Sequence, residues 1–162
     1  MKSNQIEIAV VNLFDPRRNI IVPRITGGYN KPFNHECDLL ILSGSGYATE
    51  VEIKTSVADL KKDFKKKHGH DSPYIRRFYY AMPAAMQGHS ALNLIPERCG
   101  IIFVHEIPAN QFHRGRFVAS INRKAVNKCE CKKFNDADVY YLLRNLHIKY
   151  WSMIHKKIYS ND

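Results

Sequence analysis

The chain has 162 residues, 44% of them hydrophobic, enough for one domain with its own core and too few to make a second expected. No apolar run approaches the roughly 20 residues that cross a bilayer, and Glu7 interrupts the N-terminal stretch before a signal-peptide hydrophobic region can form, so a cytoplasmic protein without a membrane segment is expected. Twenty-five Lys and Arg against fifteen Asp and Glu give a net charge of +10, which points to a polyanionic partner.

The charge is unevenly placed. Residues 1–55 carry six basic and six acidic groups, residues 56–83 seven and three, and residues 84–162 twelve and six. Ser3 is placed to cap a helix over about residues 4–14, because Ile6, Ala9, Val10 and Leu13 follow the helical period and Asp15-Pro16 stops it. Glu7 lies off the main apolar stripe of that helix, a place that suits a solvated glutamate and a site residue equally. "NIIVPRI", 19–25, predicts a strand that Pro23 confines to an edge or an end. "ECDLLILS", 36–43, and "YATEVEIKT", 47–55, predict two strands joined as a hairpin by Gly44-Ser45-Gly46.

Ser56 and Asp59 form a weak capping box for a helix over 57–68. Val57, Leu60 and Phe64 make its narrow apolar stripe, and Lys61, Lys62, Lys65, Lys66 and Lys67 its other face. "RRFYYAMP", 76–83, and "CGIIFVHE", 99–106, predict further strands, and "AAMQGHSALNLIPE" between them suits a short helix. "RFVASINRKAV", 116–126, alternates as a strand. From Asn135 or Asp136 as cap, apolar residues recur at helical spacing to near Tyr159. The order predicts an α/β sheet with helices packed against it. The long last helix suits packing on the sheet and a homodimer contact equally.

Cys37 and Cys99 sit inside apolar runs and read as buried free thiols. Cys129-Glu130-Cys131 with His113 is a weak zinc signal, and His68-Gly69-His70 lacks a third ligand. His89 is assigned no role.

The hairpin carries the chemistry. With a three-residue loop, opposed residues sum to 90, so Asp38 falls across from Glu52, Leu40 from Glu50 and Glu36 from Lys54. Opposed carboxylates repel, and a divalent cation is the economical offset, since Mg²⁺ is commonly held by one or two carboxylates, waters and a substrate phosphate. Lys54, two residues beyond Glu52 on the same face, reaches a water or phosphate oxygen beside such an ion, an arrangement suited to phosphodiester hydrolysis. Glu-x-Lys alone is more often a salt bridge on an exposed strand face.

Asp38 with Glu52-Ile53-Lys54, on a helix, three strands, helix, strand order, resembles the PD-(D/E)xK nuclease superfamily. "CDLLIL", "VEIKTSVADLKKD", "FYYAMP" and "IPERCGIIFV" narrow the likeness to the MmcB-like DNA-repair branch, over roughly residues 4–106. The resemblance implies a restriction-endonuclease-like three-layer α/β core (αβββαβ) with a mixed sheet, and a C-terminal extension of strand and long helix over about 107–162. It implies Mg²⁺ or Mn²⁺ on Asp38, Glu52 and the Ile53 carbonyl, Lys54 positioning the attacking water, and Glu7 binding a second ion or its waters.

Substrate contacts are more open. Lys61, Lys62, Lys65 and Lys66, with Arg76 and Arg77, are candidates for DNA phosphates, although lysines on one helix face also serve as a solvated surface. Tyr79, Tyr80, Tyr140, Tyr141, Tyr150 and Trp151 suit stacking on unpaired bases, although aromatics at strand or helix spacing more often serve core or interface packing. The expected function is a metal-dependent deoxyribonuclease of DNA repair or phage/prokaryotic DNA processing. A catalytically silent DNA-binding module of the same fold and an RNA-directed nuclease are the alternatives.

Overall fold

In a computed structural model, residues 1–26, 36–64, 72–108 and 116–159 are described. The elements run α1 (Ser3–Leu13), β1 (Asn19–Thr26), β2 (Glu36–Ser43), β3 (Ala48–Ile53), α2 (Val57–Asp63), β4 (Ile75–Pro83), β5 (Gly100–Ile107), β6 (Arg116–Arg123) and α3 (Asp136–Tyr159), with two 3-10 turns, Ala84–Met86 and Ser90–Leu94, between β4 and β5. All six strands form one sheet in chain order, antiparallel except for the parallel pairs β3–β4 and β4–β5. β1 is an edge strand, the place in a sheet where a proline such as Pro23 is tolerated.

Helices cover both faces. On one, Ile6, Ala9 and Val10 of α1 pack on Leu39, Ile41, Val51 and Ile53. On the other, Leu142 of α3 meets Val22, Leu40, Leu42 and Ala48, while Leu60 of α2 and the 3-10 turns cover Tyr80, Met82, Ile101 and Phe103. The result is a mixed-sheet, three-layer, restriction-endonuclease-like core with β6 and α3 appended.

The ends of elements follow local chemistry, with several shifts from expectation. Lys2, not Ser3, is the N-cap of α1, because the Gln5 side chain accepts the Lys2 N–H at 2.6 Å. Asp15 ends that helix at φ +49°, ahead of Pro16. Ser56 caps α2 by accepting the Asp59 N–H at 3.2 Å. The helix is described to Asp63, and the remainder of the expected 57–68 span lies outside the described residues. Asn135 and Asp138 cap α3 reciprocally, each side chain accepting the other's N–H. The segment after β4 forms 3-10 turns rather than one short helix, and His89 caps the second, accepting the Ala91 N–H on Nδ1 at 3.0 Å. Among the described residues no helix is long and apolar enough to cross a membrane.

Candidate active site

The hairpin holds the expected register, from Leu42↔Ala48 through Leu40↔Glu50 to Leu39↔Val51. Its turn closes with Gly46 N–H donating to Ser43 O at 2.9 Å and Gly46 at φ +82°, a conformation glycine adopts without strain. The ladder does not reach the expected Asp38–Glu52 pair. It stops at Leu39↔Val51, and the Asp38 Oδ2 accepts the Ile53 N–H at 2.7 Å, taking the place of a strand-to-strand bond. On the β1 side the ladder also lapses opposite Asp38, at Arg24, whose φ of +48° is uncommon for a side chain of this kind. The sheet therefore loosens around Asp38 and turns its carboxylate into the gap.

β3 alternates Val51 and Ile53 into the α1 face and Glu50, Glu52 and, just past the strand, Lys54 onto the other, at the seam between the α3 and α2 layers. All three charged groups are buried, Glu50 completely. This is the reverse of an exposed salt-bridged strand. Lys54 Nζ donates to Glu52 Oε1 at 2.9 Å and also lies 2.9 Å from Asp63 Oδ1 on α2. Tyr80 of β4, paired with Glu52 in the sheet, donates its hydroxyl to Asp63 Oδ2 at 2.9 Å. Buried charge is tolerated when paired and hydrogen-bonded in this way.

The electrostatics follow. Burial alone would lower the Lys54 pKa, but hydrogen bonds and charge from Glu52 and Asp63 outweigh it and hold the ammonium above its ordinary range. Burial, followed by the charge and hydrogen bond of Asp63, pushes the Tyr80 hydroxyl well up. Burial also pushes the Cys37 thiol well up, and the charges of Glu50, Glu52 and Asp38 push it further, so the field at that sulfur is negative. In all three the folded chain keeps a proton that the unfolded chain releases near 9.0 for Cys37, 10.0 for Tyr80 and 10.5 for Lys54. Stability is therefore expected to be intact below about pH 9 and to fall above it, by up to about 1.4 kcal/mol per pH unit for each group titrating in the unfolded chain. Urea midpoints at pH 8 and pH 10.5 measure the fall, and Tyr80→Phe should make it smaller.

Asp38, Glu52, Ile53 and Lys54 are thus brought together. Glu7 reaches a neighbour of that group: its carboxylate lies 3.4 Å from the guanidinium of Arg24, which stands opposite Asp38 where the β1–β2 ladder lapses. Lys61 and Lys62 are exposed on α2, beside the site. Lys65 and Lys66, with Lys67, His68, His70 and His113, lie outside the described residues. Arg76 and Arg77 stand at the far end of β4. Arg77 pairs with Thr49, three residues before the Glu52–Tyr80 pair, roughly 10 Å along the sheet. Arg76 stacks 4.0 Å from the Tyr47 ring centroid, and Arg77 donates to Asn127 Oδ1 at 2.7 Å. Cys37 and Cys99 are buried, as expected, and neither forms a disulfide among the described residues. Asp63, Glu50 and Tyr80 belong to the site although the sequence marks none of them for a catalytic or metal-binding role, and both Tyr79 and Tyr80, candidates for base stacking, are buried. Asp63 follows Leu60 by three residues and so shares its inward face, the one sequence signal that marks it.

Among the described residues no three His, Cys, Asp or Glu side chains form a ready cage for a metal ion. A family model for MmcB-like DNA repair proteins matches residues 9–135. The chain belongs to that family. The match begins at Ala9, within α1, runs through β6 and stops at the residue before α3. A solved structure of a protein of unknown function from Silicibacter pomeroyi is similar, with a TM-score of 0.63 at 15% identity, covering 99% of this chain and 94% of that one. It shares the fold, α3 included. No curated protein matches.

Proposed function

We propose that this MmcB-like protein is a divalent-cation-dependent nuclease that hydrolyses DNA phosphodiester bonds in repair. One observation carries the reading: Asp38, Glu52 and Lys54 converge where the sheet loosens, inside a family named for DNA repair. The donors suit a hard cation. Two carboxylates and the Ile53 carbonyl are oxygen ligands of the kind Mg²⁺ and Mn²⁺ share with waters and a substrate phosphate, so no three-carboxylate cage is required. The negative field at Cys37 favours a cation at this spot as well. When bound, such an ion makes water more acidic and offsets charge on the phosphate.

The chain's own groups do the rest. Asp38 and Glu52, anchored by the Ile53 N–H and the Lys54 ammonium, are held in fixed positions before any ligand arrives. Lys54, kept protonated, presents N–H donors to the attacking water or to a phosphate oxygen. Asp63 orients Lys54 from behind and is itself fixed by Tyr80. Lys61 and Lys62 lie where they can meet neighbouring phosphates, contacts that would weaken with salt.

The test is a cleavage panel of duplex, single-stranded, flapped and branched DNA with Mg²⁺ or Mn²⁺, with EDTA, and with the Lys54→Ala protein, beside matched RNA. Cutting that needs metal and Lys54 is expected. Salt-sensitive binding without cutting of any substrate would assign a silent DNA-binding module instead, and preferential cutting of the RNA would assign an RNA-directed nuclease.

A further inference from the structure

α3 is longer than the sheet it packs on. It begins at the β2–β3 turn, where the Phe134 N–H donates to Gly46 O at 2.9 Å, and lies along the strands through Val139, Leu142 and Leu146. By Lys149 it has reached the far half of β1, two residues short of that strand's end at Thr26. The Lys149 ammonium donates there to the carbonyls of Pro23 and Arg24, the residues beside and opposite Asp38 in the β1–β2 pairing. Residues 150–159 continue for about 15 Å past that point, at the end and on the face of the sheet that carry Glu52 and Lys54. A helix lying on the protein would bury one side. Here every one of these ten residues is exposed except Ile154, which is half-buried.

The projecting turns are aromatic, apolar and basic, with Met153 and Ile158 exposed beside the aromatic rings. Tyr150, Trp151 and Tyr159 are 54%, 55% and 66% exposed, and Lys156 and Lys157 lie among them. From Val139 to Tyr159 there is no acidic residue, against Arg144, Lys149, Lys156 and Lys157. A second copy of the chain paired symmetrically within this stretch would set like charges face to face. A polyanion would not.

We infer that residues 150–159 are an arm that holds unpaired nucleotides next to the scissile phosphate, with Tyr150 and Trp151 stacking on bases and Lys156 and Lys157 on phosphates. Exposed aromatics stack on any base but reach base faces only where the strand is unpaired, so the arm selects single-stranded or frayed DNA. The inference rests on the nuclease reading for what lies at the sheet end. The arm itself lies outside the matched family span.

Trp151 is the chain's one tryptophan, so its fluorescence reports on the arm alone. Titration of the full-length protein in EDTA with an oligothymidylate of about 15 nucleotides, a length suited to one such site, should quench it, and a matched duplex should quench it much less. Trp151→Ala should weaken oligothymidylate binding, followed by anisotropy, about 5- to 150-fold, and Trp151→Phe should retain most of it. Lys156→Ala with Lys157→Ala should make the salt dependence shallower by about 1.4 in log–log slope. Binding with Trp151 fluorescence unmoved, or a concentration-dependent dimer in sedimentation that shields Trp151, would overturn the arm. Because no metal is present, these results stand apart from the cleavage panel: quenching without cutting removes the nuclease and keeps the arm, while cutting without quenching does the reverse.

Discussion

Lys54→Met should cut DNA roughly 10²- to 10⁴-fold more slowly than wild type, the range lost with a positioned proton donor or acceptor, and should also weaken the fold. Lys54 lies between two buried carboxylates, Glu52 and Asp63, each 2.9 Å from its nitrogen. Removing one partner of a buried ion pair costs about 3–5 kcal/mol, so lost activity alone would not separate chemistry from unfolding. Asp63→Asn does separate them. The amide nearly matches the carboxylate in shape and still accepts the Tyr80 hydroxyl, but withdraws a charge and a strong acceptor that now raise the Lys54 pKa. Burial then has less to oppose it, and the Lys54 pKa falls. If the protonated ammonium serves the reaction, the alkaline limb of the pH–rate profile moves to lower pH in Asp63→Asn while the rate near pH 7 changes far less. A profile that keeps its alkaline limb in place would remove the Lys54 charge from the chemistry.

β3 was legible in the sequence because two local rules govern it. Alternation sorts Val51 and Ile53 from Glu50, Glu52 and Lys54, and the length of Gly44-Ser45-Gly46 sets the partners of β2. Where the pairing ends is not local: the lapse at Asp38 depends on Arg24 and Ile53, which lie far apart in the chain, so the opposed Asp38–Glu52 pair was expected where a side chain on a backbone N–H is found. A helix with a three-residue apolar stripe leaves its flanking positions undecided, and only the docking of α2 over Tyr80 turns Asp63 inward. Arg76 and Arg77 carried the right charge, but composition says nothing about which end of a strand faces the site. The same holds for α3, whose period was plain from the sequence while its overshoot past the sheet was not.

Gly100→Val should be the most damaging substitution away from the site. Gly100 opens β5 opposite Tyr79 of β4, and the Tyr79 ring lies across it, so that a Cβ at Gly100 would meet two ring carbons at 2.2 Å and the backbone nitrogen of Ala125 at 2.8 Å. The ring has little room to withdraw. It is buried in the α1-side core and packs edge-on against Phe14 at 6.1 Å, just beyond the end of α1. Valine would drive Tyr79 off Gly100 and loosen α1 from the sheet, a loss of about 3 kcal/mol or more, at or beyond the upper end of ordinary overpacking. Gly100→Ala should lie part-way. Tyr79→Ala made together with Gly100→Val should recover some of the loss, because the ring contact is then gone, but not all of it, because the Ala125 backbone cannot retreat as a side chain can. Denaturant unfolding of wild type, Gly100→Val, Tyr79→Ala and the double variant measures the coupling, and additive losses would show that the ring is not what excludes a side chain at position 100.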